Sequence, residues 1–388
     1  MNSFDYYQPT EIKFGWGRIS EIAETAMPLG KHALLVTGPR SSALGSLYER
    51  ISLALKENDI LVSHFDKVVP NPTTLSIDAG AQLALREKVD FVIGVGGGSS
   101  MDTAKAIAVG ATHEGTAWDY RLFSHKKISS KSLPILAVST TSGTGSQVTP
   151  FAVLTNPQQK SKFALADKNL FPRAAIVDPE LMLTVPEHIS MSTGFDAFAH
   201  AFESYIHSNA SSFTDLLALA AMKLVVSYLP KVLVNGSDRV ARSEMAWADT
   251  MAGLCIANAG TTLPHGIGMA IGGHAPGVMH GEALAAIYPE FMRYTYVSAV
   301  ARFAALGRIL DPRLESESDD FAAAKSCDLM QIFLERIGMH SNLKKLGIPR
   351  EELPLIADDS VALPDYTVNP RVATRDEILE MVERSYNS

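Results

Sequence analysis

Two cysteines in 388 residues, Cys255 and Cys327, leave no material for a disulfide framework, and neither sits in a Cys-x-x-Cys pair. Such sparing use fits a reducing compartment, so a cytoplasmic location is expected. Positive charge is in deficit: 34 Lys and Arg stand against 42 Asp and Glu, a net charge of −8. That balance offers no basic field for nucleic acid or anionic lipid, and neither is expected as a partner. Residues Met1 to Thr10 have no basic n-region and no apolar h-region, so no secretory signal is expected there. The longest apolar stretch, Leu216 to Val234, is broken by Lys223, Pro230 and Lys231 and reads as a buried helix rather than a membrane span. Internal repeats and low-complexity tracts are absent too.

What is present is a chain with 46% hydrophobic residues, long enough that two domains are the natural expectation. From Lys31 to Asp178, short apolar runs alternate with helical patterns. Ala33 to Thr37, Leu61 to Phe65, Phe91 to Val95 and Leu133 to Val138 are continuous apolar runs of strand length, as buried parallel strands should be. Gly45 to Lys56 and Ser76 to Lys88 have helical spacing between them. Phe151 to Thr155 and Ala174 to Val177 are expected to extend the same sheet. After about residue 184 helical patterns take over, and Thr374 with Glu377 forms a capping box for a last helix. The expected architecture is an α/β doubly wound, Rossmann-like sheet over residues 1–184, followed by an all-α domain over 185–388.

The run Gly96-Gly97-Gly98-Ser99-Ser100-Met101-Asp102 joins a strand to a helix. Glycines there let backbone N–H groups approach phosphate oxygens, and the helix N-terminus adds positive potential. A second small polar loop, Ser139 to Ser146, follows the next strand, and ligands bind where such neighbouring loops meet. The full Gly-x-Gly-x-x-Gly pattern is missing, because Ser99 holds its last position. After the strand ending at Thr37, Gly38-Pro39-Arg40-Ser41 offers no carboxylate to grip a ribose 2′-hydroxyl. Arg40 and Ser41 suit a 2′-phosphate, which favours NADP(H) over NAD(H), although Arg40 also reads as an ordinary solvated loop residue.

Asp196 and His200 lie at i and i+4, so they share a helix face and suit chelation of one ion. On periodicity alone, Phe195, Phe198, Ala199 and Phe202 make the apolar face, and Asp196, His200, Glu203 and His207 make a wet polar stripe. From Thr250 to Gly281 no Asp, Glu, Lys or Arg occurs, yet the segment holds His265, His274 and His280. Buried imidazoles need partners, and a metal is one. A carboxylate with imidazoles and no sulfur is compatible with Fe(II), Zn(II) or Mn(II).

These residues, with Phe14-Gly15-Trp16-Gly17, Asn71-Pro72-Thr73, Thr140 to Thr144, Gly194 to His200, Pro264-His265-Gly266, His280-Gly281-Glu282 and Asn369-Pro370-Arg371, make the chain resemble the iron-containing (group III) alcohol dehydrogenases. The resemblance runs from about Phe14 to the last helix. It implies a metal-dependent, NAD(P)-linked dehydrogenase of small primary alcohols or aldehydes, usually with Fe(II), sometimes Zn(II), and commonly dimeric. It implies Asp196, His200, His265 and His280 as ligands, with Gly97, Gly98, Ser99 and Asp102 at the pyrophosphate. It also implies Thr140, Thr141 and Thr144 along the cofactor, Asn71 and Lys162 near it, and Phe151 in the substrate pocket. Met269 stands where the family often has a proton-relaying His, so His274 joins His265 and His280 as an expected catalytic residue. Gln147 stands where many members have Glu. A polyol dehydrogenase or maleylacetate-type reductase on the same fold, and a non-enzymatic nucleotide or metal sensor, are the competing readings.

Overall fold

The structure is a computed structural model that describes residues 3–387. It divides into two compact units, Tyr7–Val185 and the chain from Pro186 onward, and residues 3–6 belong with the second.

In the first unit the strands are β1 (Glu11–Phe14), β2 (His32–Thr37), β3 (Leu61–Phe65), β4 (Phe91–Gly96), β5 (Ile135–Ser139), β6 (Phe151–Asn156), β7 (Ser161–Ala166) and β8 (Ala174–Val177). Its α-helices are α1 (Ile22–Ala26), α2 (Gly45–Glu57), α3 (Thr74–Glu87) and α4 (Gly98–Gly110). Six strands form one parallel sheet in the order β1-β8-β5-β4-β2-β3. Side chains alternate across it: Leu34, Val36 and Val92 enter the core on one face, and Ala33, Leu35, Phe91, Ile93 and Val95 enter the core on the other. Both faces are covered, which is why these strands are apolar without interruption.

Two strand expectations change. The Phe151 run does not extend the sheet; β6 pairs antiparallel with β7, Phe151 opposite Ala166, as a separate hairpin. The edge strand β1 gave no apolar signal because its sequence, Glu-Ile-Lys-Phe, is half polar.

The second unit contains α5 (Glu187–Ile206), α6 (Ser212–Val234), α7 (Arg239–Asn258), α8 (Leu263–His274), α9 (His280–Thr295), α10 (Val300–Leu310), α11 (Asp319–Arg336), α12 (Leu353–Val361) and α13 (Arg375–Asn387), with no strand among its described residues. Phe195, Phe198, Phe202, Tyr288, Phe291 and Phe303 form the centre of its core. Helix α6 is long and apolar enough to cross a membrane by length and composition alone. It packs instead along α5 and α7 through Ala218, Ala221, Met222, Val225 and Leu229, while Leu216 and Val234 are exposed, so it is less buried than its composition suggests. The expected capping box is present at α13: Thr374 N donates to Glu377 Oε2 (2.8 Å) and Glu377 N to Thr374 Oγ1 (3.3 Å).

Candidate metal centre and nucleotide loops

The aromatic face of α5 packs into the helical core, yet its opposite face is not wet. Asp196, His200, Glu203 and His207 are all buried. Helix α9 and the start of α8 supply the cover, a tertiary effect that the helix's own periodicity cannot display. Three imidazoles converge on one oxygen, Asp196 Oδ1. His265 Nε2 lies 3.6 Å away, His200 Nε2 3.7 Å and His280 Nε2 3.9 Å. Donor atoms of Asp196, His265 and His280 all lie within 4.8 Å of one another, and the His200 ring stacks on that of His265 with centroids 4.6 Å apart.

Asp196 Oδ1 and His265 Nε2 are buried without a hydrogen-bond partner. Buried polar atoms are rarely left in that state, and a shared cation would satisfy both. One carboxylate and three imidazoles fit a divalent first-row transition metal, with room in its coordination for substrate.

A further carboxylate, unassigned from the sequence, backs this group. Glu203 is fully buried, and its Oε1 accepts from His265 Nδ1 at 2.7 Å. Its Oε2 accepts from the backbone N–H of Thr262 at 2.9 Å and from Thr262 Oγ1 at 3.3 Å. Tyr288 donates its hydroxyl to Oε1 at 3.5 Å; burial and the adjoining Glu203 carboxylate push the Tyr288 phenol well above its usual pKa, so it stays a donor. Among the bare side chains, burial pulls the His265 imidazole down, but Glu203 and Asp196 outweigh it and hold it at about 10. Burial would raise Asp196 in turn, and the imidazoles, His200 foremost, keep it well below the usual carboxylate range.

His274 is not part of this group. Its Nδ1 is paired with Glu352 Oε2 (2.6 Å) and its Nε2 with Asp359 Oδ2 (2.9 Å). Both ring nitrogens are occupied at the end of α8, so the relay role expected for this residue finds no support in its contacts.

In the first unit the two polar loops come together because β4 and β5 are paired neighbours, Gly96 opposite Ser139. Gly96 adopts a φ of 147°, a backbone conformation side chains avoid. A Cβ on Gly98 would stand 2.6 Å from Thr144 Cγ2, and one on Gly97 would stand 3.0 Å from Thr141 Oγ1. Glycine is therefore needed where the second loop closes on the first. Helix α4 starts at Gly98 with no side-chain cap, which leaves its first N–H groups available to an anion.

Asp102 faces inward rather than into the loop mouth. It accepts from Ser146 Oγ (2.6 Å) and from the Val153 N–H (3.0 Å). Lys105, also unassigned from the sequence, is fully buried and donates to the carbonyls of Ser146 (2.7 Å), Thr149 (2.9 Å) and Phe151 (2.7 Å). The signal available was the spacing of Asp102 and Lys105, opposite charges at i and i+3 beside a glycine loop. Lys162 and Asn71, from distant segments, meet at 3.0 Å. Arg40 is a solvent-facing side chain paired with Asp66 at 3.3 Å. The structure thus leaves Gly38, Arg40 and Ser41 beyond the end of β2, and Phe151 at the start of β6.

The chain matches the family described as iron-containing alcohol dehydrogenase over residues 9–179, and the C-terminal region of the Fe-containing alcohol dehydrogenase family over residues 190–386. It is 32% identical to the NAD-dependent methanol dehydrogenase of Bacillus methanolicus, with 98% of this chain and 99% of that one covered. The 1,3-propanediol dehydrogenase of Klebsiella pneumoniae is 33% identical, with 99% of each chain covered. Among solved structures, an alcohol dehydrogenase from an archaeal halo-thermophile of a Red Sea brine pool matches with a TM-score of 0.94 at 32% identity, covering 99% of this chain and 100% of that one.

Proposed function

The chain belongs to the iron-containing alcohol dehydrogenase family, and from that premise we propose which of its residues hold the metal and the cofactor. The protein is an alcohol dehydrogenase, an oxidoreductase that exchanges hydride between a nicotinamide and an alcohol or aldehyde. Asp196, His200, His265 and His280 hold the iron in this reading. The observation that carries it is the convergence of three imidazole Nε2 atoms on Asp196 Oδ1, at 3.6 to 3.9 Å.

An iron ion supplies Lewis acidity, which makes an alcohol's hydroxyl proton easier to lose and a carbonyl carbon more electrophilic. The chain's own work is placement. Asp196 contributes the negative charge of the set, and the His265 Nδ1–Glu203 hydrogen bond leaves Nε2 as the free donor. Gly97, Gly98 and Ser99 present backbone N–H groups to the pyrophosphate, with Thr140, Thr141 and Thr144 beside them. Asp102 and Lys105 hold those two loops in register from behind. Lys162 and Asn71 act on the cofactor as a pair, and Phe151 lines the substrate pocket.

NADP(H) is favoured over NAD(H), because Gly38 puts no carboxylate beside the 2′ position and Arg40 lies two residues on. Small primary alcohols and aldehydes are the substrate class. The two free, buried thiols support a cytoplasmic location, and the family resemblance supports a homodimer.

Metal analysis of the purified protein, paired with a panel of short aldehydes against NADPH and NADH, tests this reading. It predicts iron near stoichiometry and aldehyde-dependent oxidation with NADPH ahead. Full turnover by metal-free protein would favour a metal-independent polyol or maleylacetate-type reductase instead.

A further inference from the structure

We propose that Glu203 is a positioning residue for the metal: it touches neither metal nor substrate, but sets the tautomer, orientation and donor strength of His265. The proposal rests on the reading of Asp196, His200, His265 and His280 as ligands.

Helix geometry brings Glu203 to the site. Asp196, His200 and Glu203 follow at i, i+4 and i+7 on α5, so one face carries all three along two turns. Glu203 then reaches α8 at two points. One oxygen accepts from the Thr262 N–H, at the N-cap of α8, and so fixes where that helix starts. The other accepts from Nδ1 of His265, in the first turn of the same helix. Backbone and ring are clamped by one carboxylate, which leaves the imidazole little freedom to tilt.

In the neutral, metal-binding imidazole the short bond to a carboxylate keeps the one proton on Nδ1, so the lone pair is on Nε2, the atom that faces Asp196 without a hydrogen-bond partner. A carboxylate behind an imidazole also raises its basicity towards a cation. Charge balance makes the same point. A carboxylate with no exposed surface is costly unless compensated, and Glu203 is 0% exposed. A dication held by neutral imidazoles would supply positive charge beside Asp196 and Glu203.

The experiment follows metal release into excess chelator, using Glu203→Gln in the full chain, with NADPH affinity measured alongside. Glutamine keeps the shape and loses the charge. The expected result is a 10- to 100-fold weaker metal affinity with NADPH affinity unchanged, the range typical when such partners are lost. In the cobalt-substituted protein the visible d–d bands should shift in Glu203→Gln. They should not shift in Leu306→Ala, a core truncation on α10, a helix packed mainly against α11, that lowers stability without touching the site. Thr262→Val, which deletes one donor to Glu203, should speed metal release several-fold and serves if Glu203→Gln does not fold. Wild-type release rates and unshifted bands in folded Glu203→Gln overturn the proposal; so do wild-type release rates in Thr262→Val should the glutamine variant not fold. If Asp196→Asn also keeps its metal, the ligand assignment fails; if it loses metal while Glu203→Gln does not, only the role of Glu203 fails.

Discussion

Lys105 and Ser146 are joined twice: the ammonium donates to the Ser146 carbonyl at 2.7 Å and to its hydroxyl at 2.9 Å, and that hydroxyl donates on to Asp102 at 2.6 Å. This buried knot ties the first turns of α4 to the loop after β5, so the two polar loops are held from beneath. Burial pulls the Lys105 ammonium down to about 8, while Asp102 opposes the shift. Lys105→Met would strand three buried carbonyls and Asp102. We expect a loss of about 3–5 kcal/mol of stability, as for one broken partner of a buried charged pair, with NADPH binding at least tenfold weaker. Denaturant unfolding and fluorescence titration read the two effects separately.

Two glycines of the first unit should respond in opposite ways to a side chain. Gly98→Ala drives a methyl against Thr144, 2.6 Å away, and should weaken both cofactors alike. A Cβ on Gly38 meets nothing closer than the Tyr48 hydroxyl at 3.8 Å, so Gly38→Asp should fold normally. Its carboxylate should move the ratio of kcat/KM for NADPH over NADH towards NADH by about tenfold or more, the scale of one charged contact. An unchanged ratio would place cofactor choice elsewhere.

His64 predicts a pH dependence of folding. Its ring accepts or donates with Thr37 Oγ1 at 2.8 Å, and burial, aided by Arg40, depresses its pKa from 6.5 to about 4. Between those values the unfolded chain binds more protons than the native protein, so stability rises with pH through the window. The contribution is present in full above about 6.5 and is lost as pH falls towards 4. His64→Gln should flatten the difference in unfolding free energy between pH 4.5 and 7 by about 1–2 kcal/mol, after allowing for partial solvent screening.

His274, clasped by Glu352 and Asp359, joins the end of α8 to the α12 region. His274→Ala should lower stability by about 1–3 kcal/mol, the cost of leaving charged partners unmet. The pH profile of kcat should stay as in the wild type. A lost ionisation in that profile would restore the residue to catalysis.

Much of this fold is legible in the sequence, for stated reasons. Strands β2, β4 and β5 announce themselves because burial on both faces demands unbroken apolar runs. The hairpin strand β6 has the same composition, and its destination depended on a partner, β7, whose Ser161-Lys162 start carries no apolar signal. The spacing of Asp196 and His200, with a charge-free segment holding His265, His274 and His280, pointed to a metal set, and the choice of His265 and His280 within it came with the family resemblance. Glu203 was visible only as one more polar residue on α5, since its partners, Thr262 and His265, lie about sixty positions away and no local pattern contains them. His274 shows the opposite: histidines in similar glycine-rich settings have unlike roles once α12 supplies carboxylates.

Iron content of His265→Ala, measured beside its NADPH affinity, tests the central claim most directly. The account predicts metal at under about a tenth of the wild-type level, because one imidazole of a small donor set is removed, with nucleotide binding intact. Wild-type iron in a folded, NADPH-binding His265→Ala protein would contradict it.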